Sequence, residues 1–267
     1  MGVVYKAEDL TLNRPVAMKF LPHHLSANEA ERARFLQEAQ AASALNHPNV
    51  CVIYQLAKEN DQQLIVMEYV DGVTLRQKIA DAEIGRDRPL PFATVLAYAV
   101  QIGDALQEAH GKGIVHRDVK AENIMVNSNN QIKIMDFGLA KLKGSLKLTR
   151  ASSTVGTLAY MAPEQIQGEE VDARSDIFSY GVVLFELLTG KLPFRGEHEA
   201  AMMYSILNEP PESLLKLQPG APPELERVIH RSLERDPEDR YQSAADMVSE
   251  LKRIQKQSSK VSRTTLG

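Results

Sequence analysis

Over the first quarter of the chain, apolar residues recur in short alternating runs. Val3 to Ala7 and Arg14 to Leu21 flank the polar stretch of Glu8, Asp9, Thr11 and Asn13, a period-two pattern that predicts two strands joined by a turn. Asn28 with Glu31 three residues on predicts a capped helix start. Phe35, Leu36, Ala39, Ala42 and Leu45 then follow at helical spacing until His47-Pro48 stops the helix. Val50 to Leu56 and Gln63 to Tyr69 read as two more strands, with Lys58 to Gln62 as their turn, and Asp71-Gly72 breaks the pattern. From Leu75 onward helical periods dominate, most clearly from Thr94 to His110, closed by Gly111 and Gly113. The most apolar stretch, Tyr180 to Gly190, contains Glu186 and is far shorter than the roughly 20 residues of a membrane span, so it predicts a central helix of a larger lobe. A strand-rich start with one helix, followed by a helical remainder, predicts a two-lobed α+β fold. Its parts are a small antiparallel sheet lobe over residues 1–70 and a mainly α-helical lobe over 71–254.

Composition agrees. A chain of 267 residues, 43% hydrophobic and 25% charged, can bury one large core or two unequal ones. A net charge of −4 provides no bulk attraction to nucleic acid, so no such partner is expected. The single cysteine, Cys51, excludes an internal disulfide framework and fits a reducing, cytoplasmic compartment; it reads as a small buried hydrophobe. His23-His24 has no Cys or carboxylate at metal-ligand spacing and reads as solvated loop. Met1 to Lys6 lacks the apolar run of a signal peptide, and Lys6 stands where a myristoylation signal on Gly2 would need Ser or Thr.

Chemistry enters with three motifs in one order: His116-Arg117-Asp118-Val119-Lys120-Ala121-Glu122-Asn123, then Asp136-Phe137-Gly138, then Ala162-Pro163-Glu164. A lone tripeptide arises easily by chance, whereas the ordered set is hard to produce otherwise. On these residues the chain resembles a protein kinase, with a match from Met1 to about Ile254. Leu45-Asn46-His47-Pro48-Asn49 and Ala162-Pro163-Glu164-Gln165 bring it nearest to bacterial Ser/Thr kinases of the eukaryotic-like type.

That resemblance implies ATP and Mg2+ as cofactors and protein Ser/Thr hydroxyls as acceptors, its own included. Asp118 would orient the acceptor hydroxyl and take its proton, and Asn123 and Asp136 would hold Mg2+. Lys120, two residues past Asp118, marks Ser/Thr transfer and would neutralise charge on the moving phosphoryl group. Thr157 would hydrogen-bond Asp118 and Lys120. In the small lobe Lys19, in Val16-Ala17-Met18-Lys19, would meet the α- and β-phosphates with Glu38 as its partner carboxylate. Met67 would guard the adenine pocket, the backbones of Glu68 and Val70 would bond the base, and Val4, Ala17 and Met125 would sandwich it. Ala121 replaces the family's usual proline, which removes no chemistry.

Between Gly138 and Ala162 the chain is rich in hydroxyls and basic residues, and Arg117 before Asp118 implies a loop ordered by phosphate, with Thr149 and Ser153 ahead of Ser152 and Thr154 as acceptors. Asp176 would tie down the catalytic loop's backbone, Phe178 takes a position where tryptophan is common, and Arg240 would pair with Glu164. The tail 255–267, basic and free of acids, is expected as a flexible linker. In kinases of this type such a linker leads to a membrane span, which implies an anchored parent protein although no span lies in this chain.

One departure divides the reading. Of the phosphate-covering G-x-G-x-x-G, only the last glycine, Gly2, is found; the first strand and earlier glycines are missing, so the small sheet is expected to expose an edge. An active kinase and a nucleotide-binding pseudokinase or scaffold both follow. The catalytic residues favour the first and the missing glycines the second.

Overall fold

The computed structural model describes residues 3–21, 29–59, 62–84, 90–137 and 155–264. β1 (Val4–Asp9), β2 (Arg14–Phe20), β3 (Ile53–Glu59) and β4 (Gln62–Glu68) form an antiparallel sheet in the order β1-β2-β4-β3. The register places Val4 opposite Lys19, and Ala17 opposite both Lys6 and Met67. Helix α1 (Glu29–Ser43) lies on this sheet, and its Phe35 and Ala39 pack with Ala17, Leu21, Cys51, Ile65 and Met67 into a small core. Asn28, the expected cap of this helix, lies outside the described residues.

The sequence pattern puts the start of the third strand at Val50, but β3 begins at Ile53. Val50 instead forms a parallel bridge with Ile134, and the Cys51 N–H donates to the Ile134 carbonyl at 2.9 Å. An apolar run reads the same whichever sheet it joins, so sequence alone could not separate these pairings.

β5 (Gly72–Thr74), β6 (Ile124–Asn127) and β7 (Ile132–Ile134) make a second, three-stranded sheet. Around it stand α2 (Leu75–Ile84), α3 (Phe92–Gly111), α4 (Val155–Leu158), α5 (Pro163–Gln167), α6 (Ala173–Thr189), α7 (Glu199–Asn208), α8 (Leu214–Leu217), α9 (Pro223–Ser232) and α10 (Ala244–Thr264). The two-lobed α+β expectation holds: a sheet lobe with one helix sits beside a larger helical lobe. No helix among the described residues is long and apolar enough to cross a membrane.

Helix α6 is the axis of the larger lobe because it is buried on every side, from Ser175 to Leu188. Asp172 starts it by accepting the Arg174 N–H at 2.7 Å. Gly190, at φ 71°, ends it in the left-handed conformation glycine adopts without strain. The tail departs from expectation, since α10 runs to Thr264 through residues assigned to a flexible linker. Residues 255–264 contain neither proline nor glycine, so nothing in them stops a helix already nucleated by packing upstream.

Close approach of α6 to α9 depends on Gly181, where an added Cβ would sit on Ser232 Oγ and 2.9 Å from Ser232 Cβ. Gly181→Ala is expected to destabilise the fold by about 1–3 kcal/mol through overpacking, despite alanine's better helix propensity. Urea unfolding followed by circular dichroism checks this, and an unchanged or raised midpoint would refute the packing account.

Candidate active site

Each candidate residue is placed by an element held in position by bonds to distant parts of the chain. Past α3 the chain turns at Gly113 and enters 114–120, whose backbone is gripped by one carboxylate. Asp176, in the first turn of α6 and fully buried, accepts the N–H groups of His116 and Arg117 at 2.7 Å each. His110, from the end of α3, adds its Nε2–H at 2.8 Å. Arg117 has φ 68° and Asp136 φ 61°, conformations that cost a non-glycine residue on the order of 1–2 kcal/mol. Both lie at the candidate site, and both are held by bonds from neighbouring segments.

The buried imidazole of His116 ties these two strained points together. Its Nδ1 accepts the Asp118 N–H at 3.2 Å, which leaves the proton on Nε2 to be donated to the Met135 carbonyl at 2.8 Å. The ring also packs edge-on against Phe137, 4.6 Å between centroids. In return the Met135 N–H donates to the Asn123 carbonyl at 2.8 Å. The loop that carries Asp118 and the segment that carries Asp136 therefore have a single relative position.

Within that frame Lys120, almost fully buried, donates to both carboxylate oxygens of Asp118 at 2.9 and 3.0 Å. Asn123 closes a 3-10 turn over Ala121–Asn123 and donates through Nδ2 to the Asp118 carbonyl at 2.7 Å and to its Oδ2 at 3.2 Å. This commits the Asn123 NH2 group and leaves Oδ1 as an oxygen donor. Across the cleft Lys19 Nζ meets Asp136 Oδ2 at 2.5 Å. A carboxylate and an amide oxygen, joined through one backbone hydrogen bond, suit a small hard cation that takes its remaining ligands from phosphate and water. Asp118, Lys120, Asn123, Asp136 and Lys19 are thus brought together.

Of the expected adenine contacts, Ala17 and Met67 are cross-strand neighbours with buried side chains, Val70 is buried, Met125 on β6 is half-buried, and Val4 on the edge strand is exposed. Met67 also lines a cavity of about 10 Å3, room for about one water, together with Cys51, Ile65, Asp136 and Phe137. Burial pushes the Cys51 thiol up to about 12, so it is an inert core group as expected. Glu38 is half-buried on α1. Gly2, Gly138, Thr149, Ser152, Ser153 and Thr154 lie outside the described residues. Thr157 is a correction: it sits in α4 and its hydroxyl makes no hydrogen bond among the described residues, while Lys120 and Asn123 hold Asp118.

Sequence reasoning missed two groups. His110 carries no local signal for its bond to Asp176, 66 residues away. Glu186 did carry one, because an acid inside an apolar helix demands partners. Burial pushes its carboxyl up, against bonds from Tyr160 Oη at 2.5 Å and from Arg76; Arg76 also donates to Tyr160 Oη at 2.6 Å and to Glu122, on the loop that carries Asp118, at 3.0 Å. Arg76 is 110 residues from Glu186, which no spacing rule could reach.

The expected Glu164–Arg240 pair is present and fully enclosed. Two parallel bonds of 2.7 Å join the guanidinium to the carboxylate, Ser175 Oγ adds 2.6 Å, and the remaining Arg240 donors meet the carbonyls of Arg174, Glu234 and Arg235. Arg240 also lies over the Phe178 ring, 5.1 Å to its centroid. Burial alone would raise the Glu164 carboxyl, but the Arg240 bonds outweigh it and hold the group below its ordinary 4.5. A lowered folded-state value means stability that is present above the ordinary pKa and lost as pH falls through the folded value. Arg240→Met should cost about 3–5 kcal/mol at neutral pH by leaving a buried carboxylate without its cation. Glu164→Gln should flatten part of the acid limb below pH 4.5; unfolding titrations from pH 3 to 7 test this, and an acid limb unchanged in Glu164→Gln would refute the assignment.

Relatives bear on this geometry directly. Residues 1–251 match the protein kinase domain. The serine/threonine-protein kinase PknB of Mycolicibacterium smegmatis is 41% identical over 261 residues, 95% of this chain and 41% of that protein. PrkC of Bacillus subtilis, a serine/threonine-protein kinase, is 39% identical over 252 residues, 94% of this chain and 38% of that protein. The chain therefore spans about two-fifths of the length of these curated relatives. The crystal structure of the Mycobacterium tuberculosis PknI kinase domain superposes with a TM-score of 0.75 at 28% identity, covering 95% of this chain and 91% of that one.

Proposed function

This chain belongs to the protein kinase family, and we propose that it transfers the γ-phosphoryl group of ATP to serine and threonine hydroxyls of proteins, its own included. The observation that carries the reading is the Asp118 carboxylate. It is flanked by Lys120 and Asn123 and lies on a loop braced by Asp176, and that loop is bonded through Asn123 to the segment carrying Asp136, the partner of Lys19. The family uses ATP with a divalent metal. Magnesium, held by Asn123 Oδ1 and the Asp136 carboxylate, would draw charge from the phosphate oxygens.

The chain's own residues divide the remaining work. Asp118 orients the acceptor hydroxyl and accepts its proton, while Lys120 keeps positive charge beside the entering oxygen. Lys19, aligned by Glu38, holds the α- and β-phosphates, and its contact with Asp136 supports that role by placing the ammonium at the metal carboxylate. The backbones of Glu68 and Val70 take the adenine edge, with Val4, Ala17, Met67 and Met125 as apolar walls and Gly2 over the phosphates. No covalent enzyme intermediate is required: positioning and charge stabilisation suffice for phosphoryl transfer. Residues 1–70 act as the nucleotide lobe and 71–254 as the acceptor lobe, in a cytoplasmic setting.

Autophosphorylation with radiolabelled ATP and Mg2+ tests the reading. Asp118→Asn should lower the rate by about 10²–10⁴-fold with the fold retained. Lys19→Met should produce a similar loss through misplaced phosphates. Label at the wild-type rate on either variant would remove that residue from its role, and an unlabelled wild-type chain would overturn the enzymatic reading.

A further inference from the structure

The hinge residue Glu68 has two ends with different engagements. Its backbone is the proposed adenine contact, whereas its carboxylate Oε2 accepts from Lys133 Nζ at 2.9 Å and from the Val52 N–H at 3.2 Å. Lys133 is the middle residue of β7, with Ile132 and Ile134 fully buried on either side, and its ammonium also lies 3.4 Å from the Val50 carbonyl. The pair is largely enclosed, with side-chain exposures of 12% for Lys133 and 23% for Glu68. Three residues beyond Lys133 is Asp136.

One ion pair therefore links the strand that ends in the hinge to the strand that ends at the metal carboxylate. Segment 49–52 is laid between them by backbone bonds: Cys51 N–H to Ile134, Ile134 N–H to Asn49, and Glu68 N–H to Val52, each 2.9 Å. A nucleotide has fixed length. If its base is held at Glu68 and Val70 and its phosphates reach the metal at Asp136, the separation of those two points decides whether both ends bind at once.

We propose that Lys133 and the Glu68 side chain are positioning residues that set this separation, so that the ion pair matters to ligands spanning both points and not to ligands using the hinge alone. The proposal rests on the nucleotide reading above. Lys133 touches no part of the bound nucleotide in this scheme and acts only through the two strands it joins.

Adenosine and ATP–Mg2+ separate the possibilities, since the first occupies the hinge and the second spans hinge and metal. Binding of each to the wild-type chain and its variants is measured by isothermal titration calorimetry, with the ATP KM and kcat followed in parallel. Lys133→Met is expected to weaken ATP–Mg2+ by about tenfold while adenosine stays within about twofold, with the loss in KM and kcat little changed at saturation. Lys133→Arg, which keeps the charge, should restore most of the affinity. Glu68→Gln, which keeps the shape and removes the charge, should repeat the selective loss, and serves if Lys133→Met does not fold. The Glu68→Gln/Lys133→Met double variant should be no worse than Lys133→Met, as coupled partners require. Equal weakening of both ligands, unchanged binding, or tighter ATP–Mg2+ binding would each overturn the positioning role. A wild-type chain that binds neither ligand would sink the nucleotide reading first, before any variant is compared.

Discussion

A buried carboxylate that must be satisfied organises the larger lobe. Asp176 sits in the first turn of α6, where the helix N-terminus favours negative charge, and takes N–H groups from the two residues ahead of Asp118 and from the ring of His110. Leaving such a group unpaired in the interior would cost several kcal/mol, so α3, α6 and the catalytic loop can only assemble with those bonds made. Because α6 is itself buried on all sides and capped at both ends, the carboxylate has no freedom to follow a moving loop. The loop is held to the helix.

The left-handed conformations of Arg117 and Asp136 fit this picture. Neither residue is glycine, so each stores strain that the surroundings must hold. For Arg117 the restraint is its own N–H on Asp176; for Asp136 it is the neighbouring Met135, bonded to His116 through its carbonyl and to Asn123 through its N–H. Strain and restraint occur at the positions that aim the Asp118 and Asp136 carboxylates, where small angular errors would cost most in the proposed phosphoryl transfer.

Two other buried charges act as fixtures of the same kind. Glu164 with Arg240 uses every guanidinium donor, and Glu186 is bonded by Tyr160 and by Arg76, whose guanidinium also reaches Glu122 on the loop that carries Asp118. Such groups add little net stability relative to apolar packing of the same shape, yet removing one partner is costly. An arrangement of the surrounding segments that separated either set of partners would leave a buried charge uncompensated. The Glu68–Lys133 pair extends this logic to the joint between the lobes.

Most of the architecture was legible in the chain, for local reasons. The alternation at Arg14 to Leu21, the helical period from Thr94 to His110 and the apolar run in α6 each reflect a periodicity that backbone geometry imposes on burial, so strands and helices fell near their observed places. Asp118, Lys120 and Asn123 were likewise legible because a loop must present them at fixed short spacing, and Asp176 and Arg240 because they stand in recognisable segments. The sequence by itself therefore determined the element types, the two-lobed plan and the local constellation on the catalytic loop. It could not reveal that Val50 would bridge to Ile134, that Lys19 would meet Asp136, or that His110, Arg76 and Lys133 would be the partners of Asp176, Glu186 and Glu68. These pairs join residues tens to more than a hundred positions apart, where no period operates. Only the tertiary structure decided them, because an interior charge is partnered by whatever packing brings within hydrogen-bond reach.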